Sequence, residues 1–118
     1  MLDEAVLREL LETTGDDVDF VRDLVETYLA DVPAQLEGID SAIAANDAEA
    51  LVRPAHTLKS SSVTLGAMRL GEVSRTLEMT GRSGALDASA RENAATAHAE
   101  WTGVQQALEG WLAEQAKP

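Results

Sequence analysis

One stretch of the chain holds residue types that could carry chemistry: Ala55-His56-Thr57-Leu58-Lys59-Ser60-Ser61-Ser62, followed by Leu65-Gly66-Ala67 and Leu70. An ordinary imidazole, with a pKa of about 6.5, is largely neutral near neutral pH, so one ring nitrogen keeps a lone pair and can act as a nucleophile. A phosphoryl group on that nitrogen would carry charge on its oxygens. An ammonium three residues on, at Lys59, shares the helix face and can accept it. Ser60, four residues on, is small enough to leave room for an approaching protein. The constellation suits phosphoryl transfer through histidine, with the barrier chemistry left to a partner that brings Mg²⁺ and an acidic pocket.

The helix period decides which of these residues meet water. At about 100° per residue, Leu51, Ala55, Leu58, Ser62 and Leu65 fall within about 80° of one another and form a core stripe. His56 lies about 140° from Leu51 on the same wheel. Val52, Lys59, Ser60 and Val63 share its outward arc. Ser61 and Ser62 are expected to face sideways or inward, with hydroxyls on carbonyls of the preceding turn. His98, with Ala94 and Thr102 one turn to either side and no lysine close by, reads as structural or solvated. Trp101 and Trp111 read as packing.

Other chemistries lack their parts. There is no cysteine, so thiolate nucleophiles, disulfides and cysteine metal sites are excluded. Two histidines cannot make a histidine-rich metal site, and no phosphate-binding glycine loop is present. Ser60 and Ser61 lie near His56, but no acid stands within one helical turn of it. Glu49 and Glu72 are too distant along the chain to orient the ring unless folding brings another in. The charge is uneven: residues 1–49 hold fourteen acids against Arg8 and Arg22, a net of −12, and the remainder is neutral. Within 50–75 the only acid is Glu72, against Arg53, Lys59, Arg69 and Arg75. Such an acidic field argues against nucleic-acid binding.

The elements that must position His56 are helical. Ala, Leu and Val dominate the 118 residues and aromatics are scarce, which suits one all-helical domain with a modest core. A first helix is expected from about Asp3 to Glu12, with Val6 and Leu10 inward. A second opens at Asp16 or Asp17, with Val18, Val21, Val25, Tyr28, Val32, Leu36, Ile39 and Ile43 on one stripe and a kink near Ala30 from Pro33. An Asn46–Glu49 capping box starts the His56 helix. Pro54 either bends that helix or marks where its regular part begins. Gly66 ends it, accepting positive φ without steric cost. A fourth segment, Ala67 to Thr80, turns Leu70, Val73 and Leu77 inward and stops at Gly81, and 81–86 form a flexible connection. A Ser89–Glu92 capping box opens the last helix, with Ala94, Ala97, Trp101, Val104, Leu108 and Trp111 inward. The expected fold is an antiparallel up-and-down four-helix bundle with a short N-terminal capping helix, a single domain over 1–118. No apolar run reaches membrane-spanning length and the N-terminus is no signal peptide, so a cytoplasmic location is expected.

The run His56-Thr57-Leu58-Lys59-Ser60-Ser61-Ser62, with Leu65-Gly66-Ala67, Leu70 and Arg75-Thr76-Leu77-Glu78, resembles the histidine-containing phosphotransfer (HPt) domain of bacterial multistep phosphorelays. The resemblance covers nearly the whole chain. It implies that His56 is phosphorylated at Nε2, that Lys59 supports the phosphoryl group and that Gly66 forms the interhelical turn. Many members carry glycine four residues after the histidine, where this chain has Ser60. The implied function is a phosphorelay intermediate passing a phosphoryl group between aspartates of response-regulator receiver domains, fed by a hybrid histidine kinase. It is a phosphohistidine carrier rather than a stand-alone enzyme, with no cofactor of its own and Mg²⁺ supplied by the receiver. A monomer is expected. Val52, Ser60, Val63, Arg53 and Arg69 are candidates for partner docking. Two alternatives are a non-phosphorylated adaptor that sequesters a receiver or kinase, and a kinase dimerisation segment, which would demand an attached ATP-binding domain and an obligate dimer.

Overall fold

Aspartates open three of the helices. The side chain of Asp17 accepts the Phe20 amide, that of Asp47 the Ala50 amide and that of Asp87 the Ser89 amide. Each carboxylate thus satisfies a free N–H at the positive end of a helix dipole. The helices begun in this way are α2 (Val18–Ala44), α3 (Ala48–Thr64) and α5 (Ala88–Gln115). They are joined by α1 (Glu4–Thr13) and α4 (Met68–Ser83). The structure, a computed structural model, describes residues 4–116. Asp3, the expected start of α1, lies outside them.

Both anticipated capping boxes are replaced by an aspartate. Asn46 instead sits at φ 54° in the turn before α3, a left-handed conformation that asparagine tolerates better than most residues. Ser89 donates its hydroxyl to Asp87 rather than capping the helix itself. The stop of α4 also moves. Gly81 lies inside the helix, and Gly84, at φ 80°, ends it. Gly66 turns the chain between α3 and α4 at φ 84°, as the spacing predicts.

Helices α2, α3, α4 and α5 each pack on the next, and α5 closes back on α2. Short connections make neighbours antiparallel, giving an up-and-down four-helix bundle. Val21, Val25, Val32 and Ile39 meet Leu51, Leu58, Leu70, Leu77, Val104 and Leu108 in one buried core. The outer stripe positions Val18 and Ile43 are only partly buried, and Ala42 takes the last core place on α2. Helix α1 packs on α2, and its buried residue is Leu7, with Val6 and Leu10 half-buried beside it. Trp101 is buried edge-on against Tyr28, with ring centroids 5.5 Å apart, and Trp111 lies at the core edge.

Pro33 and Pro54 sit inside continuous helices, the first in α2 and the second in α3. Helix α3 begins at Ala48, well before Pro54. The Pro54 ring occupies room left by a missing side chain: a Cβ on Gly38 of α2 would lie 3.2 Å from the Pro54 Cβ. No described helix is long and apolar enough to cross a membrane.

Candidate functional site

The face of α4 that meets α3 carries Gly71, Ser74, Glu78 and Gly81, at spacings of three, four and three residues. All four are buried. Three are small, and the glycines bring the two helices close together. A Cβ on Gly71 would meet the Val63 Cγ2 at 2.7 Å, and one on Gly81 would meet the Ala48 carbonyl oxygen at 2.8 Å. Ser74 returns its hydroxyl to the Leu70 carbonyl of its own helix. That approach delivers Glu78 to the base of His56.

Glu78 is the acid that local spacing could not supply. Its Oε2 lies 3.0 Å from the Nδ1 of His56, and its Oε1 lies 2.9 Å from the Nζ of Lys59. Arg82, one turn further along α4, donates from Nε at 3.0 Å and from a terminal nitrogen at 2.7 Å to the same Oε2. The Glu78 side chain is 6% exposed, whereas that of His56 is 52% exposed. The Lys59 ammonium, followed by the Arg82 guanidinium, holds the Glu78 carboxyl down to about 2, although burial pushes the other way.

This ionised carboxylate fixes the chemistry of the ring. A carboxylate only accepts hydrogen bonds, so the Nδ1 it faces must carry the proton. In the neutral imidazole the lone pair then belongs to Nε2, the opposite ring nitrogen, on a half-exposed side chain. The third group that orients a histidine, missing from the helix of His56 itself, comes from the next helix. Around it, two fixed cations face one carboxylate. The site is therefore locally positive in a chain of net charge −12.

The outward arc of α3 divides between two neighbours. Lys59 and Val52 are half-buried against α4 rather than open to solvent, and Val52 packs where a Gly81 side chain would lie. Val63 is 45% exposed and leans on Gly71. Arg53 is exposed on the flank shared with Val52 and Arg82. Arg69 faces α5, with Nε 3.5 Å from Glu100, and so belongs to another face. Ser60 is exposed and shares with His56 a groove of about 650 Å³ between α2 and α3. Phe20 and Leu24 also line it, neither of which the sequence reading assigned to the site.

The remaining polar positions are structural. Ser61 donates to the Thr57 carbonyl at 3.0 Å, as expected, but Ser62 pairs with the buried Tyr28 hydroxyl at 2.7 Å instead of a backbone carbonyl. His98 bonds through Nε2 to Asp40 at 2.8 Å and ties α5 to α2 at the surface.

Comparison with known families matches the Hpt domain over residues 23–114. Among solved structures, the crystal structure of histidine-containing phosphotransfer protein B (HptB) from Pseudomonas aeruginosa PAO1 is similar, at 29% identity. It superposes with a TM-score of 0.82, covering 92% of this chain and 91% of that one. No curated protein sequence matches the chain. The family match spans most of the bundle, including His56, Lys59, Glu78 and Arg82. The chain belongs to the Hpt domain family and has the histidine phosphotransfer role of two-component phosphorelays.

Proposed function

We propose that Nε2 of His56 takes a phosphoryl group from the aspartyl phosphate of one receiver domain and hands it to the aspartate of another. The carrying observation is the ionised Glu78 on Nδ1, which leaves Nε2 of a half-exposed ring as the nucleophile. In the forward step the Nε2 lone pair forms the N–P bond. The P–O bond to the aspartate breaks, and its electron pair leaves on the carboxylate. The Nδ1 proton stays where it is, and Glu78 balances the positive charge that the phosphorylated ring acquires.

Lys59 has three N–H donors, and one contact to Glu78 leaves others for the phosphoryl oxygens. Arg82 offers further guanidinium donors from the same side. Mg²⁺ comes with the receiver, whose aspartate pocket supplies the acidic ligands. A hybrid kinase as the source of the phosphoryl group, a monomeric state, a cytoplasmic location and a single domain over 1–118 complete the reading.

Incubation with a phosphorylated receiver, followed by mapping of the label, tests it. Wild type should acquire an acid-labile phosphoryl group on His56, and His56→Gln should acquire none while keeping its helicity. Label retained on His56→Gln would sink the assignment. Receiver binding without any transfer in wild type would point to an adaptor instead.

A further inference from the structure

The groove that holds His56 runs away from it along the bundle. Tyr28 pairs with Ser62 and Gly38 packs on Pro54, so Gln35 lies beside the histidine while Phe20 lies at the far end of the groove, past Thr64 and Leu65. From Gln35 back to Phe20, the α2 wall is about 22 Å long at the helical rise of about 1.5 Å per residue. Phe20 is the only phenylalanine in the chain, and it is 48% exposed. His56 is the only titratable side chain on the α3 wall, with Thr57, Ser60, Ser61 and Thr64 along it.

The α2 wall also carries Asp23 and Asp31, both exposed. Neither makes an ion pair or side-chain hydrogen bond among the described residues, and no lysine or arginine lines the groove. Three cations near the groove are engaged elsewhere, and Arg53 lies outside it, in a separate hollow beyond Gln35. Arg22 lies 3.6 Å from Asp19 and also reaches the Gln115 carbonyl, and Lys59 and Arg82 face Glu78 on the opposite flank of α3.

We propose that Asp23 and Asp31 are specificity residues. They select, among receivers, one whose docking helix presents an apolar ridge edged with lysine or arginine. The inference rests on the phosphorelay reading, because His56 itself lines the same groove. A strip about 22 Å long fits roughly four turns of a partner helix. The apolar floor supplies contact area common to all such partners. Unpaired carboxylates on its edge attract a basic helix and repel an acidic one, acting on the encounter rate and on partner choice. A second copy of this chain is a poor occupant, since two molecules of net charge −12 would oppose like charges across the groove.

The test uses the full chain with two probes. One is a phosphorylated receiver whose docking helix carries lysines and arginines, and the other is the same receiver with those residues changed to glutamate. Phosphoramidate, a small donor that needs no docking, checks that His56 stays reactive in each variant. Wild type should be labelled at least about tenfold faster by the basic receiver than by the acidic one at low salt, and the gap should shrink as salt shortens the screening length below about 10 Å. The double variant D23K/D31K should reverse that preference. Equal rates for both receivers, or a preference that the double variant leaves unchanged, would overturn the specificity role while the phosphorelay reading stands. Failure of both receivers to label wild type, with phosphoramidate labelling intact, would overturn the phosphorelay reading and this proposal with it. A dimer in sedimentation that Phe20→Ser disperses would also overturn it, because the groove would then belong to a second copy.

Discussion

The Nδ1 atom of His56 lies 3.0 Å from Oε2 of Glu78, and that same oxygen accepts two N–H groups of Arg82. Lys59 takes the other oxygen. Three basic side chains from two helices are therefore organised by one buried carboxylate, and its removal should disturb each of them. Glu78→Gln preserves the shape but lets the amide present either its oxygen or its NH₂ to the ring. Both imidazole tautomers then become populated, and a charge-assisted hydrogen bond becomes a neutral one of about half the strength. Phosphotransfer should slow by about tenfold, the equivalent of about 1.4 kcal/mol. Nitrogen-edited NMR of the ring should show the proton on Nδ1 in wild type and on both nitrogens in the variant. A single unchanged tautomer in E78Q would contradict the orienting role.

Acid should remove this anchor in a defined window. The Glu78 carboxyl falls from an ordinary 4.5 to about 2 in the folded chain, so the unfolded chain takes up its proton first. Stability from the ionised carboxylate is therefore fully present above about pH 5 and is lost as the pH falls towards 2. The contribution is at most about 3 kcal/mol, because solvent screens the half-exposed Arg82. Urea unfolding of wild type and E78Q should give a difference that narrows across this window and is constant near neutrality.

The two glycines facing α3 should differ sharply in tolerance. A methyl at position 81 meets the Ala48 backbone oxygen at 2.8 Å, which cannot move without shifting the start of α3. At position 71 the obstacle is a methyl of Val63, a half-exposed side chain that can change rotamer. Gly81→Ala should cost about 1–3 kcal/mol and weaken the Glu78–His56 contact. Gly71→Ala should cost under about 1 kcal/mol, because added helix propensity offsets the adjustment. Thermal melts of the two variants give the comparison.

Tyr28 and Ser62 should behave as a unit. Each is the other's hydrogen-bond partner in the core, at 2.7 Å. Tyr28→Phe and Ser62→Ala should each cost about 1–2 kcal/mol, and the double variant less than their sum. Burial pushes the phenol up to about 12. The unfolded chain therefore loses this proton near its ordinary 10, and stability drains away as the pH rises from 10 towards 12. Absorbance of this single tyrosine should report alkaline ionisation together with unfolding rather than before it.

What could be read from the residues was whatever obeys a local period. The core stripes of α2 and α5, the Gly66 turn and the outward His56 all follow from three- and four-residue spacing, since burial on a helix is a matter of angle. Cap identity was less legible. Asp47 and Asp87 stand one and two residues from the expected capping boxes, and either choice satisfies the same orphan amides. Glu78 was visible within the family motif, yet its tie to His56 spans 22 residues and depends on how closely two helices approach. A signal was present in the alternation Gly71, Ser74, Glu78, Gly81, where a lone acid interrupts a row of small residues on an inward face. The exposed Phe20 and the groove behind it arise only when α2 and α3 lie side by side, so no single helical wheel contains them.

A proton pinned on Nδ1 has a consequence for the direction of traffic. Because that hydrogen stays against the carboxylate whether or not the opposite nitrogen is loaded, arrival and departure of the phosphoryl group need neither uptake nor release of a proton at the ring. Loading and unloading become mirror images of one another. The carrier imposes no arrow of its own, and flux runs from the aspartate that holds its phosphate less tightly to the one that holds it more tightly.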